Sequence, residues 1–573
     1  MLKQLIIKPR SDENSIKHLS DALGINDHLS NLLIHRGIKT FDEAEYFFRP
    51  SLENLHDPFL MTDMNKAVER LDAAIIRSEN ILVYGDYDVD GTTSVAMVYS
   101  FLKKYTDSLG FYIPDRYTEG YGISKKGIDY AADHNYTLVV ALDCGIKAEE
   151  KINYANQKKI DFIICDHHTP GEKIPNAFAV LDPKRPDCNY PDKNLSGCGV
   201  GFKLLQAFAA RKKIPFEALT EYIDLTAVSI ASDIVPVIGE NRILAFHGLK
   251  KLGENPLRGL KTIKQVAGIK EKEITISDCV FKIGPRINAA GRIKSGSDAV
   301  KLLISDEAES AKGFAKQIDG YNIERKSLDR MITHEALREI GNSIEKRNRK
   351  TTVLFNKEWH KGVIGIVASR LTDTYYRPTV ILTESNGFAT GSARSISDFN
   401  LYDAVEACSH LLENFGGHKF AAGLTMKLEN VEEFSDCFER YVSEHITEDQ
   451  LRQVIEVDDE INLSDIDRKF YNIIRQMAPF GPENMTPVFL TRNVYDTGNS
   501  KVVGNNKEHL KLEIRDKEGT VLNGIAFSPE PEHVKHIIEK KPFSVCYSID
   551  RNDYNGASTL QLKIKEIIIE DIS

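Results

Sequence analysis

The sequence predicts a multidomain α/β protein: a parallel-sheet domain, a long bridging helix, a second α/β domain and a strand-rich domain at the end. Three observations carry this. The chain has 573 residues, far more than one hydrophobic core organises and enough for about four average domains. Between about residues 80 and 235 short apolar runs alternate with helical patterns, as parallel strands with crossover helices require. After about residue 450 the pattern changes to short strands separated by Gly, Asn and Asp turns.

Taken in order, residues 1–60 hold short helical patterns and no chemical motif. Residues 61–304 form the parallel-sheet domain, with strands expected at 81–84, 137–142, 161–165 and 178–181 and helices at 92–104 and 147–158. Residues 305–350 contain no proline and three glycines, and apolar residues recur at helical spacing among many charges. That predicts a long connecting helix. A second α/β domain spans 351–449, with strands at 352–355 and 379–383 and a helix at 363–371. Residues 450–573 carry strands at 454–457, 488–490, 510–514, 521–526, 543–549 and 560–569. Five or six short strands suit a small barrel or sandwich, an OB-type barrel among them.

Composition excludes several classes. Lys+Arg 74 against Asp+Glu 84 gives a net charge of −10, so a nucleic-acid surface would have to be a local stripe. No uncharged apolar stretch approaches the ~20 residues of a membrane span, and the Leu5–Ile7 run is too short for a signal-peptide core. A cytoplasmic protein is the simplest reading. The eight cysteines are scattered without a Cys-x-x-Cys, which fits reduced core residues rather than a zinc site or a disulfide framework.

The chemistry concentrates at predicted strand ends. Asp86, Asp88 and Asp90 alternate in Gly85-Asp-Tyr-Asp-Val-Asp-Gly91, directly after a strand. If the segment stays extended, three carboxylates share one face and need a cation. An acidic turn is the bland alternative, and an EF-hand loop would lack its terminal Glu, since Met97 stands at the twelfth position. The next strands deliver Asp143, then Asp166-His167-His168, and Asp233 follows the apolar run 227–231. Such groups at the carboxyl ends of parallel strands lie where open α/β sheets bind ligands. Singly, each is more ordinary as a helix cap, turn or packing residue. Several carboxylates with one or two imidazoles favour Mn2+ or Mg2+ over zinc. There are enough ligands for two divalent cations, whose chemistry is phosphoester hydrolysis. No P-loop is present.

The order Gly-Asp-Tyr-Asp-Val-Asp-Gly, Asp143-Cys-Gly, Asp166-His-His and Asp233 resembles the DHH phosphoesterase superfamily. Downstream, Trp359-His-Lys-Gly-Val-Ile-Gly365, Gly391-Ser-Ala-Arg-Ser395 and Gly416-Gly-His418 look like its associated DHHA1-type domain. Within the superfamily the bacterial single-stranded-DNA-specific exonucleases are the nearest resemblance, over nearly the whole chain. The resemblance implies 5′→3′ hydrolysis of single-stranded DNA to 5′-nucleotides, in repair and recombination, at a two-metal site. Asp143 would bridge the ions, with Asp86 and Asp88 on one side and Asp90, His167 and Asp233 on the other. His168 would face the scissile phosphate, and Asp166 would orient an imidazole. Asp90, Asp143, His167 and His168 would thus be the catalytic group. Tyr84 stands where the superfamily often has His, and Asp86 is the expected substitute ligand.

Arg394 with Ser392 and Ser395, read as a small-residue loop, supplies a guanidinium fork and hydroxyls for phosphate oxygens. Arg116 matches a family position expected to join them around a 5′-phosphate. Gly416, Gly417 and His418 would approach the strand closely, and Arg286, Asn288 and Arg292 look like further strand contacts. A solvated arginine, a glycine turn and a helix cap are the bland alternatives. The partners implied are single-stranded DNA with a 5′ end, and candidate protein partners are a single-strand-binding protein and a helicase, with no membrane. Two rival functions remain at this point: a DHH hydrolase of small phosphoesters, which would not need the strand-rich domain, and an inactive scaffold, which would not need to keep every motif acid.

Overall fold

The computed structural model describes residues 3–504, 507–554 and 557–569. Contacts divide the chain into two units. One holds 57–233 and 248–453, and the other holds 4–56, 234–247 and the chain from 454 onward.

The first unit contains a five-stranded sheet of β1 (Asn80–Gly85), β2 (Leu109–Tyr112), β3 (Tyr136–Leu142), β4 (Asp161–Cys165) and β5 (Ala179–Leu181). Their order is β2-β1-β3-β4-β5 and every pairing is parallel. The central strands are continuous apolar runs, Ile81–Tyr84 and Leu138–Leu142 being buried, because helices cover both faces. The chain leaves β1 toward β2 and returns to β3 on the other side, so the switch point lies between β1 and β3.

Three helices build the floor behind the strand ends: α1 (Val89–Leu102), α2 (Gly197–Lys212) and α3 (Ile223–Ser232). The expected helix at 92–104 begins earlier, because Asp88 is the N-cap and accepts the Gly91 amide at 2.9 Å. This corrects the extended reading of the acidic triplet. Asp86 follows the strand, Asp88 caps the helix and Asp90 lies in its first turn, so the three do not alternate along one extended face.

Further along lie α4 (Gly284–Ile293) and the 35-residue α5 (Ala308–Asn342), the latter about 50 Å long at 1.5 Å per residue. The buried stripe of α5 runs Ala311, Ala315, Ile318, Asn322, Arg325, Asp329, Ile332, Ala336, Ile340, spaced by three and four as one face of a helix requires. Its last three members pack with Trp359, Val363 and Val367 of the second lobe. That lobe has β6 (Thr352–Phe355), α6 (Ile364–Tyr375), β7 (Thr379–Ser385), β8 (Phe388–Arg394), α7 (Leu401–Ala407), β9 (Leu412–His418), β10 (Ala421–Lys427) and α8 (Val431–His445). The sheet order is β9-β10-β8-β7-β6, with only β6–β7 parallel. Ser392 and Arg394 therefore sit on a strand rather than in the loop read from their small neighbours. Cross-strand pairing offsets the low strand preference of Gly391 and Gly416.

In the second unit the strand Gln4–Ile7 pairs in parallel with Val454–Val457. Then come β11 (Asp459–Glu460), β12 (Phe489–Asp496), β13 (Lys501–Val503), β14 (His509–Arg515), β15 (Val521–Phe527), β16 (Phe543–Tyr554) and β17 (Ala557–Ile568). They follow the order β11-β12-β16-β17-β15-β14-β13, and a β12–β14 pairing closes the barrel. Leu510, Leu512 and Ile514 alternate inward and share a core with Leu19, Leu29, Leu32 and Phe47 of the N-terminal helices. Among the described residues no helix is long and apolar enough to cross a membrane.

Candidate metal centre

The ends of β1, β3 and β4 and of α3 deliver Asp86, Asp143, Asp166-His167-His168 and Asp233 to one place. Asp143 has left-handed backbone (φ 58°), and its amide donates to the Cys165 carbonyl at 2.8 Å. Beside it, a Cβ added at Gly197 would lie 2.6 Å from Asp143 Cβ, so only glycine fits there. Asp90 is anchored by the start of α2. Its Oδ2 accepts the Gly197 amide at 2.7 Å, and its Oδ1 accepts the Cys198 amide at 2.8 Å and the Ser229 hydroxyl at 2.7 Å.

The imidazole of His167 is the point of convergence. Nε2 lies 3.2 Å from Asp143 Oδ1, 3.5 Å from Asp233 Oδ2 and 3.8 Å from Asp90 Oδ2. Two overlapping groups have ligand atoms within 4.8 Å of one another: Asp143, His167 and His168, and Asp90, His167 and Asp233. Asp86 and Asp88 lie outside both groups. Neither ring nitrogen of His167 nor Asp86 Oδ2 has a hydrogen-bond partner, although all three atoms are buried. Burial, reinforced by neighbouring carboxylates, pushes Asp86, Asp88 and Asp143 up and Asp233 up to about 8, while burial pulls His167 down to about 4. Buried like charges and orphaned acceptors are what divalent cations satisfy, so the residues present fit Mn2+ or Mg2+.

Tyr84 has its oxygen committed elsewhere. Its hydroxyl donates to the Gly122 carbonyl at 2.9 Å and accepts the Ser124 amide at 3.2 Å, and the ring stacks on Tyr112. The Gly122 amide in turn donates to Asp86 Oδ1 at 3.2 Å, so Tyr84 holds the loop that holds Asp86.

Asp166 turns away from this cluster. It accepts the amides of Ile146, His167 and His168 and, at 2.7 Å, His168 Nδ1. Against its burial, His168 and these amides hold it down at about 2, and against its own burial His168 is raised to about 9 by Asp166. Nε2 of His168 lies 3.1 Å from the Tyr121 hydroxyl, which donates to the Asp143 carbonyl at 3.2 Å. A doubly protonated His168 satisfies this chain, donating from Nδ1 to Asp166 and from Nε2 to Tyr121. Tyr121, Gly197 and Ser229 escaped the sequence reading. Only the glycines flanking Tyr121, both at positive φ, offered a signal.

A second cluster is basic. Arg116 stacks over Tyr87 at 4.7 Å. Arg292 on α4 donates to the Gly362 carbonyl at 3.1 Å, and its backbone carbonyl accepts the Tyr117 hydroxyl. Burial, then Arg116, Arg325 and Arg394, pull Arg292 down to about 9, and burial with Arg116 also lowers Arg394. Arg394 donates to Ser392 Oγ at 2.9 Å. Among the described residues none of Arg116, Arg292 and Arg394 has an ion-pair partner. Register places Ser392, Gly423 and Gly416 in one row and Arg394, Ala421 and His418 in the next. Gly417 aligns instead with the buried Ala422 and Ala393. Ser395 donates to the Phe399 carbonyl, and Arg286 is paired with Asp319 at 2.9 Å. Asn288 is half-buried on α4.

Family models match all three regions: the DHH family N-terminal domain at residues 80–230, the DHHA1 domain at 348–444 and the RecJ OB domain at 457–566. The single-stranded-DNA-specific exonuclease RecJ of Bacillus subtilis (strain 168) is 34% identical over 564 residues, covering 98% of this chain and 70% of that protein. Its counterpart in Escherichia coli (strain K12) is 30% identical over 564 residues, covering 94% and 95%. The crystal structure of RecJ from Thermus thermophilus in complex with Mn2+ shares the fold, with TM-score 0.84 and 24% identity over 99% of this chain and 80% of that one. An exonuclease RecJ bound to manganese gives TM-score 0.61 and 29% identity over 73% and 100%. With that identity along nearly its full length, the chain belongs to the RecJ family of single-stranded-DNA-specific exonucleases, enzymes of the metal-dependent DHH phosphoesterase class.

Proposed function

We propose that this chain degrades single-stranded DNA from the 5′ end, using two divalent cations, and that it serves DNA repair and recombination. The observation that carries this reading is the convergence of Asp143, Asp233 and Asp90 on the unpartnered Nε2 of His167 at 3.2, 3.5 and 3.8 Å. Asp90, His167 and Asp233 would hold one cation, and Asp143, with Asp86 and Asp88 nearby, would hold the second. Bound Mn2+ or Mg2+ would activate water for attack on phosphorus and stabilise charge on the attacking and leaving oxygens.

The remaining residues position and neutralise. His168, kept protonated by Asp166, exchanges its Nε2–H bond to Tyr121 for one to a phosphate oxygen. Arg116, Arg292 and Arg394, without carboxylate partners among the described residues, receive the 5′-phosphate with Ser392, which sets the end from which the strand is read. Gly416 and His418, on the same sheet face, let the backbone of the strand pass close to β9. The closed barrel of the second unit supports a polymeric substrate over a small phosphoester.

The test incubates the full chain and Mn2+ with 5′-labelled single-stranded DNA, duplex DNA and short RNA. Release of labelled mononucleotide first, from single-stranded DNA alone, is expected. Intact single-stranded DNA after incubation refutes the reading.

A further inference from the structure

All eight cysteines are free thiols, and seven of them are buried. The eighth, Cys437, is half-buried on α8 of the second lobe. Its sulfur lies 3.0 Å from that of Cys408, the residue that ends α7. A disulfide bond is about 2.05 Å long, so the two sulfurs stand about 1 Å short of bonding distance.

The surrounding chain holds the pair in place. The Cys408 carbonyl accepts the Leu411 amide at 3.0 Å, and the Leu411 carbonyl accepts the side-chain amide of Asn430, at the start of α8, at 2.9 Å. The end of α7 is thereby tied to the beginning of α8. Phe434 and Phe438 of α8 are buried in the same core as Cys408, together with Ala389, Ala393 and Ala422 of the sheet, and Cys437 packs against that core. Ser392 and Arg394 alternate with Ala393 along β8, so they face the other way. The thiol pair therefore sits behind the sheet, away from the arginine cluster.

The two thiols are not equivalent. Burial and the adjacent Cys437 push the Cys408 thiol up and keep it protonated, whereas Cys437 reaches solvent. Cys437 is the sulfur that an oxidant from solution meets first, with Cys408 directly behind it.

We propose that Cys408 and Cys437 are a peroxide-reactive dithiol, in which a hydroperoxide oxidises Cys437 and Cys408 then closes a reversible disulfide. In the first step the Cys437 thiolate takes an OH group from hydrogen peroxide, the O–O bond breaks and the other oxygen leaves as hydroxide. In the second the Cys408 sulfur attacks the sulfenic acid on Cys437. The S–S bond forms, the S–O bond breaks, and the departing hydroxide takes the Cys408 proton to become water. The pair loses two electrons and the peroxide gains them. A sulfenic acid without a neighbouring thiol goes on to sulfinic acid, and in a reducing compartment such thiol pairs close only transiently. This chemistry does not depend on the nuclease reading.

The experiment treats the full chain, reduced and then freed of reductant, with rising doses of hydrogen peroxide. Remaining thiols are alkylated after unfolding, and a tryptic digest, in which Lys419 and Lys427 separate the two cysteines, is read by mass spectrometry. The wild type is expected to give one cross-linked peptide pair joining Cys408 to Cys437, lighter by two hydrogens than the separate peptides and released by dithiothreitol. The other six cysteines should be recovered alkylated. In Cys408→Ala, Cys437 should instead reach sulfinic acid, which dithiothreitol does not reverse. In Cys437→Ser, Cys408 should be recovered as a thiol. The wild-type digest decides the matter even if a variant fails to fold. The proposal is overturned if wild-type Cys437 becomes sulfinic while Cys408 still alkylates, or if Cys437 links to a different cysteine. It is equally overturned if both thiols survive doses that convert the exposed Met485 to its sulfoxide.

Discussion

Asp166→Asn in the metal-free protein isolates the electrostatic support of His168. Asp166 is 1% exposed, accepts four hydrogen bonds and is held at about 2 against an ordinary 3.8. At 1.36 kcal/mol per pH unit this corresponds to about 2 kcal/mol of stability. The same pair seen from His168 gives a larger figure. That imidazole, however, is 42% exposed and also faces Asp233 and Asp90, so the buried Asp166 is the better measure of the one interaction. The Asp166 contribution is present above pH 3.8 and lost as pH falls through about 2. The His168 contribution, from a pKa raised above 6.5, is complete below 6.5 and lost as pH rises through about 9. The difference between wild type and variant should therefore be largest between about pH 4 and 6.5 and shrink by roughly 2 kcal/mol above pH 9. Urea unfolding in EDTA at several pH values reads the difference, and NMR of 13C-labelled imidazoles reads His168 itself, assigned with His168→Ala. In the variant His168 should titrate well below 9, since burial lowers it and only Asp233 and Asp90 remain to raise it. A His168 still near 9, or a stability difference flat with pH, refutes the reasoning.

Three further outcomes follow from the same geometry. Asp233, Asp86 and Asp143 have folded-state pKa values raised by burial, so their contribution to stability is full below 3.8 and lost as pH rises through the raised values. The metal-free protein should melt lower at pH 8 than at pH 6, and Mn2+ at one fixed concentration, 100 times its Kd at pH 8, should restore about 2.7 kcal/mol there and less at pH 6, where protons compete for the same carboxylates; equal shifts at both would contradict this. Gly197→Ala places a methyl 2.6 Å from Asp143 Cβ, which should cost about 1–3 kcal/mol and suppress Mn2+-dependent hydrolysis; wild-type melting and turnover would show that the contact relaxes freely. Arg394→Ala should reduce the preference for 5′-phosphorylated over 5′-hydroxyl strands by roughly 10- to 100-fold, read from the ratio of kcat/KM for the two ends; an unchanged ratio would remove Arg394 from the end pocket.

Local pattern sufficed where a role depends on neighbours in the chain. The strands that carry Asp143 and Asp166-His167-His168 were legible because a buried parallel strand is a continuous apolar run, and an acid just past it has left the sheet. The long helix α5 was legible for the same reason, through its spacing. The start of α1 was not, because Gly91-Thr92-Thr93 imitates a helix start while Asp88 makes the cap. Strands β8, β9 and β10 were obscured by Gly and Ala, whose presence in a sheet depends on partners across the strand.

The order of amino acids alone pointed to the carboxylates and imidazoles that the structure gathers around His167 and to a metal-dependent class of chemistry, since such groups at strand ends have few other uses in such numbers. Which oxygen meets which nitrogen was decided only by the tertiary structure. Asp90 is fixed by amides more than a hundred residues away, Asp143 by the missing side chain of Gly197, and the N-terminal strand Gln4–Ile7 by its pairing with Val454–Val457. Such relations are distances between remote segments. No local periodicity encodes them, because they arise only when remote segments of a unit have together excluded water from its interior.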